Sequence, residues 1–173
     1  HEVRGALDTA RSLGEQLLAL SQQEQDSTLF LIAHGALADT LLWCGDFLRA
    51  RDHAEQGIGI YALAQHRDLA FLYGGHDLGV ASLVWRALAQ WHLGYPDQAV
   101  LSIHQALPLL EALAHPYSTV HTLSFAALLH QFLRQPQAVQ ERVETVIILS
   151  QEQGFTQYTA LQTILHGWAL VAQ

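Results

Sequence analysis

The stretch "HRDLAFLYGGHDLGV", His66 to Val80, crowds residue types used in catalysis and phosphate binding into one short span. Its opening matches the start of a protein-kinase catalytic loop, in which the Asp is the base and a later Asn holds metal. Asp68 is in place, but Tyr73 occupies the Asn position, no D-F-G follows, and the chain has no Lys at all. Gly74, Gly75 and Gly79 lack the G-x-G-x-x-G spacing of a dinucleotide fingerprint, and no strand precedes them. The simpler reading is the start of a helix. "HRD" is then an exposed helix end, and Gly74 or Gly75 lets the chain turn with positive φ. Asp77 accepts N–H bonds in the first turn of the next helix.

The 11 histidines raise the question of a metal. Chelating pairs on one helix sit three or four residues apart, as in H-E-x-x-H. The closest pair, His115 and His121, is wider than that, and Pro116 lies between them. No metal site or cofactor is expected; His34 and His166 read as half-buried at helix contacts. Cys44 is the single cysteine, which excludes an internal disulfide and a Cys-based zinc cluster. Beside Gly45 at a helix end, it reads as a small core residue. No Ser–His–acid or Cys–His arrangement follows from spacing, so the expectation is that the chain is not an enzyme.

Composition narrows the classes further. Half of the 173 residues are hydrophobic, yet no apolar run reaches the roughly 18 residues needed to span a membrane. The net charge is −8 and all 8 basic residues are Arg, a balance that repels phosphate backbones. The expected setting is cytoplasmic and reducing, with neither nucleic acid nor membrane as partner. Methionine is absent, so the chain reads as a segment of a larger multidomain protein.

Positioning elements come next. Apolar residues recur at helical spacing (Leu13, Leu17, Leu20; Leu37, Leu41, Leu48; Val139, Val143, Val146), and β-branched runs are short. Eight helices are predicted over 2–22, 27–44, 47–64, 78–93, 96–114, 117–133, 137–153 and 155–172. Pro96, Pro116 and Pro136 mark three of the starts, where a missing N–H costs little. The fold class is all-α.

Self-similarity organises these helices. "AHGALADTLLWCGDFLRARDHAEQGI" from Ala33 aligns with "SLVWRALAQWHLGYPDQAVLSIHQAL" from Ser82 and with "LSFAALLHQFLRQPQAVQERVETVII" from Leu123. "LQTILHGWALVAQ" opens a fourth copy. Small residues recur in mid-helix (Ala38, Ala87, Ala127, Gly167), then a turn residue (Gly45, Gly94, with Arg134 in the third copy), then Ala50 and Ala99. The turns lie 49 and 40 residues apart. This is the helix-pair grammar of tetratricopeptide repeats with a period longer than their usual ~34. One domain over 1–173 is predicted, of antiparallel helix pairs forming a right-handed superhelix.

The phrases "YGGHDLGV", "ALAQWHLGYPDQAV", "LLHQFLRQ", "QEQGF" and "ILHGWALVAQ" run over nearly the whole chain. Together they resemble the C-terminal helical-repeat region of bacterial predicted ATPases, often fused to a class III adenylate/guanylate cyclase domain. That family commonly carries Asp-Pro after the histidine, where this chain has Asp77-Leu78. Neither cyclase metal carboxylates nor a G-x-x-x-x-G-K-[ST] loop is present. The resemblance therefore implies a non-catalytic interaction or sensor module of a nucleotide-signalling protein.

In tetratricopeptide superhelices the first helix of each pair lines the concave face. Carried over, this places Asp39, Trp43, Trp91, His92, Gln131, Phe132 and Trp168 in a partner-binding groove for a protein or peptide, or for another domain of the parent chain. Aromatic anchors beside a few polar groups suit such partners. The competing reading of each Trp is inter-helix core, and the competing function is a small-molecule sensor with a ligand pocket inside the superhelix. At the ends, Leu161, Ile164, Leu165, Trp168 and Leu170 would be covered on one side only, which implies self-association through a terminal helix.

Overall fold

The computed structural model describes residues 6–73 and 75–173. Every regular element among them is a helix: α1 (Leu7–Glu24), α2 (Ser27–Trp43), α3 (Phe47–Ile60), α4 (Leu63–His66), α5 (Leu69–Tyr73), α6 (Leu78–His92), α7 (Pro96–Leu113), α8 (Pro116–Phe132), α9 (Pro136–Gln153) and α10 (Thr156–Val171). None of them is long and apolar enough to cross a membrane. The first helix was predicted from residue 2, which lies outside the described residues.

Local chemistry accounts for the boundaries. Asp26, Asp46 and Asp77 cap α2, α3 and α6 by accepting backbone N–H bonds in the first turn. Helices α7, α8 and α9 begin at Pro96, Pro116 and Pro136. Left-handed residues close the preceding helices: Gln25, Gly45, Gly94, Ala114, Arg134 and Gly154 all have positive φ. After five of these residues, all but Ala114, the next residue's N–H returns to a carbonyl five positions back, as in Tyr95 to Gln90 and Gln135 to His130. Each new helix starts two residues after its left-handed residue.

These turn residues reveal the true unit of the repeat. They are spaced 20 residues apart, except for 49 between Gly45 and Gly94. The helix pair is therefore a 40-residue unit, and one copy carries nine extra residues. The insertion falls after α3, which stops at Ile60 because Tyr61 turns extended (φ −64°, ψ 128°). Helices α4 and α5 fill it.

The chain packs as two compact units, His1–Gln105 and Ala106–Gln173, with the division inside α7. In the first, α2 packs on α1, α3 and α6, and α3 also packs on α6. In the second, α8, α9 and α10 pack mutually. The recurring small residues sit at these contacts: Ala38, Ala87, Ala127, Ala50 and Ala99 are fully buried. Gly167, at the matching place in α10, faces open space. Helix α9 lays Val139, Val143 and Val146 into two clusters, with Ala127, Leu165 and Ala169 in one and Val120 and Tyr158 in the other.

Several expectations need correction. "HRD" does lie at a helix end with Arg67 and Asp68 exposed, but His66 is buried, its Nδ1 accepting the Ala62 N–H at 2.9 Å. Helix α3 is shorter than predicted. Cys44 is exposed rather than core. Gly74, one of the two glycines expected at the turn before Asp77, lies outside the described residues. On α10, Leu165 is buried and Trp168 packs on the Ala127–Val143 cluster, whereas Ile164 and Leu170 point outward.

Candidate functional site

Asp39 and Trp43 lie one turn apart on α2, so their side chains share a face. The Trp43 Nε1–H donates to Asp39 Oδ1 at 2.9 Å, and the indole remains 54% exposed. Such a ring is held in one orientation with an apolar surface toward solvent. At the end of α6, Trp91 meets His92 edge-on, with centroids 4.8 Å apart. His92 also stacks on Phe47, the first residue of α3, at 4.1 Å and 1°. Desolvation lowers the His92 pKa, so the ring is neutral at pH 7. The first unit thus carries two aromatic sets, Trp43 with the Asp39 carboxylate and Trp91 with His92 and Phe47.

The remaining candidates belong to the second unit. Gln131 and Phe132 are half-buried at the end of α8, and Trp168 packs on the core cluster around Ala127. Asp39 and Trp43 share a bonded pair, and Trp91 and His92 share an aromatic contact. Trp168 has the surroundings of an inter-helix core residue.

Sequence spacing missed two constellations. His34 on α2 and His53 on α3 bring their Nδ1 atoms to 3.0 Å. Burial, then the neighbouring ring, pushes His34 down to about 4, and burial and Arg49 also lower His53. Both rings are neutral at pH 7, and one donates to the other. Nineteen residues separate them, so only helix packing joins them. Among the described residues, no three His, Cys, Asp or Glu side chains gather as a metal site requires.

The second constellation explains "YGGHDLGV". Asp77, 1% exposed, accepts both the Val80 N–H at 3.0 Å and the Tyr61 hydroxyl at 2.8 Å. The Tyr61 ring lies flat against Gly79, where a Cβ would come within 2.5 Å of it. Burial and the Asp77 carboxylate raise the Tyr61 pKa, keeping the phenol protonated as the donor. This stretch anchors the insertion onto α6.

Between α6 and α7, Arg86 donates to Ser102 and Gln105, and the Ser102 hydroxyl donates to Gln90. Surface depressions lined by Ser150, Gly154 and Thr159, or by Gln137, Glu141 and Gln173, are open rather than enclosed. No protein-family model matches the chain, and no curated protein matches it either.

Proposed function

We propose that this chain is a non-catalytic interaction module, whose aromatic surface on the first helix of each pair receives a helical or extended peptide from a partner. The carrying observation is Trp43, exposed yet held by Asp39, beside the helix pair that carries the Phe47–His92–Trp91 stack. Solvent-facing indole fixed by a hydrogen bond loses little entropy on contact, the property that makes such rings anchors. The resemblance of "ALAQWHLGYPDQAV" and its companion phrases supports a place in a larger nucleotide-signalling protein of ATPase or cyclase type. In that setting the module relays partner binding to a catalytic domain.

Peptides selected by display against the 173-residue chain test the surface. Trp43→Ala should weaken the selected binders by about tenfold or more, roughly 1.4 kcal/mol, with the melting temperature little changed. Binders indifferent to Trp43→Ala, Trp91→Ala and His92→Ala alike would remove this surface from consideration. The wider reading is tested by the parent reading frame, which should encode a phosphate-binding loop or cyclase domain.

A further inference from the structure

The 20-residue spacing allows equivalent positions on different helices to be compared residue by residue. On α6, the stripe Val80, Val84, Ala87 is buried, and on α8 the equivalent stripe Val120, Ser124, Ala127 is fully buried. On α8 the covering helix is α9, through Val139, Val143 and Val146. The same stripe on α10 is Ala160, Ile164, Gly167, and it is open: Ile164 is 70% exposed and Gly167 meets nothing. Leu170 extends it, 57% exposed. Helix α10 contains no Asp, Glu or Arg that would resist burial. The bare face is half of an interface that the fold builds elsewhere.

The other half is also present. Counted back from the left-handed residue that closes each helix, Ala10, Gly14, Leu17 and Ser21 of α1 align with Val139, Val143, Val146 and Ser150 of α9. The same count aligns them with Ala99, Ile103, Ala106 and Leu110 of α7. All eight of those counterparts are buried. On α9 they are covered from two sides, by α8 and α10, whereas α1 packs on α2, which buries Gly14 and Ser21 and leaves Ala10 and Leu17 half-buried. Alongside that stripe, Leu13 and Leu20 are 47% and 45% exposed. The counterpart of Leu20 is Leu149, which on α9 packs against the Val120–Tyr158 cluster.

We infer that α10 of one copy docks on α1 of a second copy, completing a helix pair between the two chains with the packing that α8 and α9 make within one. Exposed apolar faces drive association, and the register sets Ala10, Gly14, Leu17 and Ser21 of α1 against the bare Ala160, Ile164 and Gly167 of α10. The contact is heterologous, so it leaves an open α1 and an open α10 at the ends of every assembly. It rests on the repeat spacing and not on the aromatic surface described above.

Sedimentation of the full chain tests this. Wild-type mass should rise with concentration past the dimer, while Ile164→Glu and Leu13→Glu each stay monomeric with unchanged circular dichroism. An equimolar mixture of the two variants restores one intact contact and should give dimers and nothing larger. A monomeric wild type, a Leu13→Glu chain that associates like wild type (an α10–α10 contact), or a mixture that stays monomeric would each overturn the inference. Should Leu13→Glu disturb folding, Leu20→Glu serves in its place with the same expected outcomes.

Discussion

At the residue scale, the His34–His53 pair ties stability to pH. Both pKa values are lowered in the folded chain, that of His34 to about 4, so below the ordinary histidine value of about 6.5 the unfolded chain binds more protons, for His34 down to about 4. The stabilisation is complete above the ordinary histidine value and is lost as pH falls through that window. Denaturant titrations should show the chain about 1–2 kcal/mol less stable at pH 5 than at pH 7 from this pair. His53→Gln should flatten part of that slope; an unchanged slope would show that other groups set it. A second residue-scale expectation concerns Gln162, fully buried with neither amide atom hydrogen-bonded. Thr122 and Ser82, at the matching positions of α8 and α6, also leave their hydroxyls without partners. An unsatisfied buried amide costs about 1–3 kcal/mol, so Gln162→Leu should raise the melting temperature.

At the element scale, the six left-handed turn residues form a graded series. Gly94 has φ +88° and open space around its α-carbon, so any penalty for a side chain there comes from the backbone alone. Gly94→Val should cost roughly 1–3 kcal/mol. The reverse change is informative at Gln25, Ala114 and Arg134, which hold the same conformation without being glycine. Arg134→Gly should stabilise by about 0.5–1 kcal/mol, relief of left-handed strain exceeding the added unfolded-state entropy. Thermal melts of the two variants should therefore shift in opposite directions. These turns were the most legible feature of the sequence. Gly45 and Gly94 stand out, proline starts the next helix three times, and Arg134 was placed by alignment alone. Ala114 and Gln25 carry no such mark, so the spacing read from the glycines was 49 and 40 residues while the underlying 20-residue step stayed hidden.

At the scale of the whole molecule, a long chain with modest charge distributes its apolar residues unevenly between two kinds of helix. The first helices of the pairs, α2 and α6, are buried nearly all round, while α3 and α9 bury one stripe and expose the other. A helix covered on several sides has neighbours before and behind it, whereas a helix with one buried stripe lies at the surface of its unit. The exposed apolar side chains of α1 (Leu13, Leu20) and of α10 (Ile164, Leu170), and an aromatic surface on the first unit, are available for contact. The self-association and peptide-binding experiments address those surfaces separately.

The sequence by itself determined the all-helical class, nearly all of the helix boundaries and the recurrence of small contact residues. Each of these is set by chemistry within a few neighbouring residues: a carboxylate that caps, a ring that forbids an N–H, a glycine that accepts positive φ. Only the tertiary structure decided which side chains meet across helices. Trp43 faces solvent, Trp85 is 3% exposed and Trp168 packs on a core cluster, although all three sit in apolar helical stretches. His34 found His53, Tyr61 found Asp77 and Gly79, and Cys44 turned outward. On helices apolar on every side, periodicity carries no signal of which face is covered. That choice belongs to the neighbouring helix, and its residues lie a full turn of the chain away.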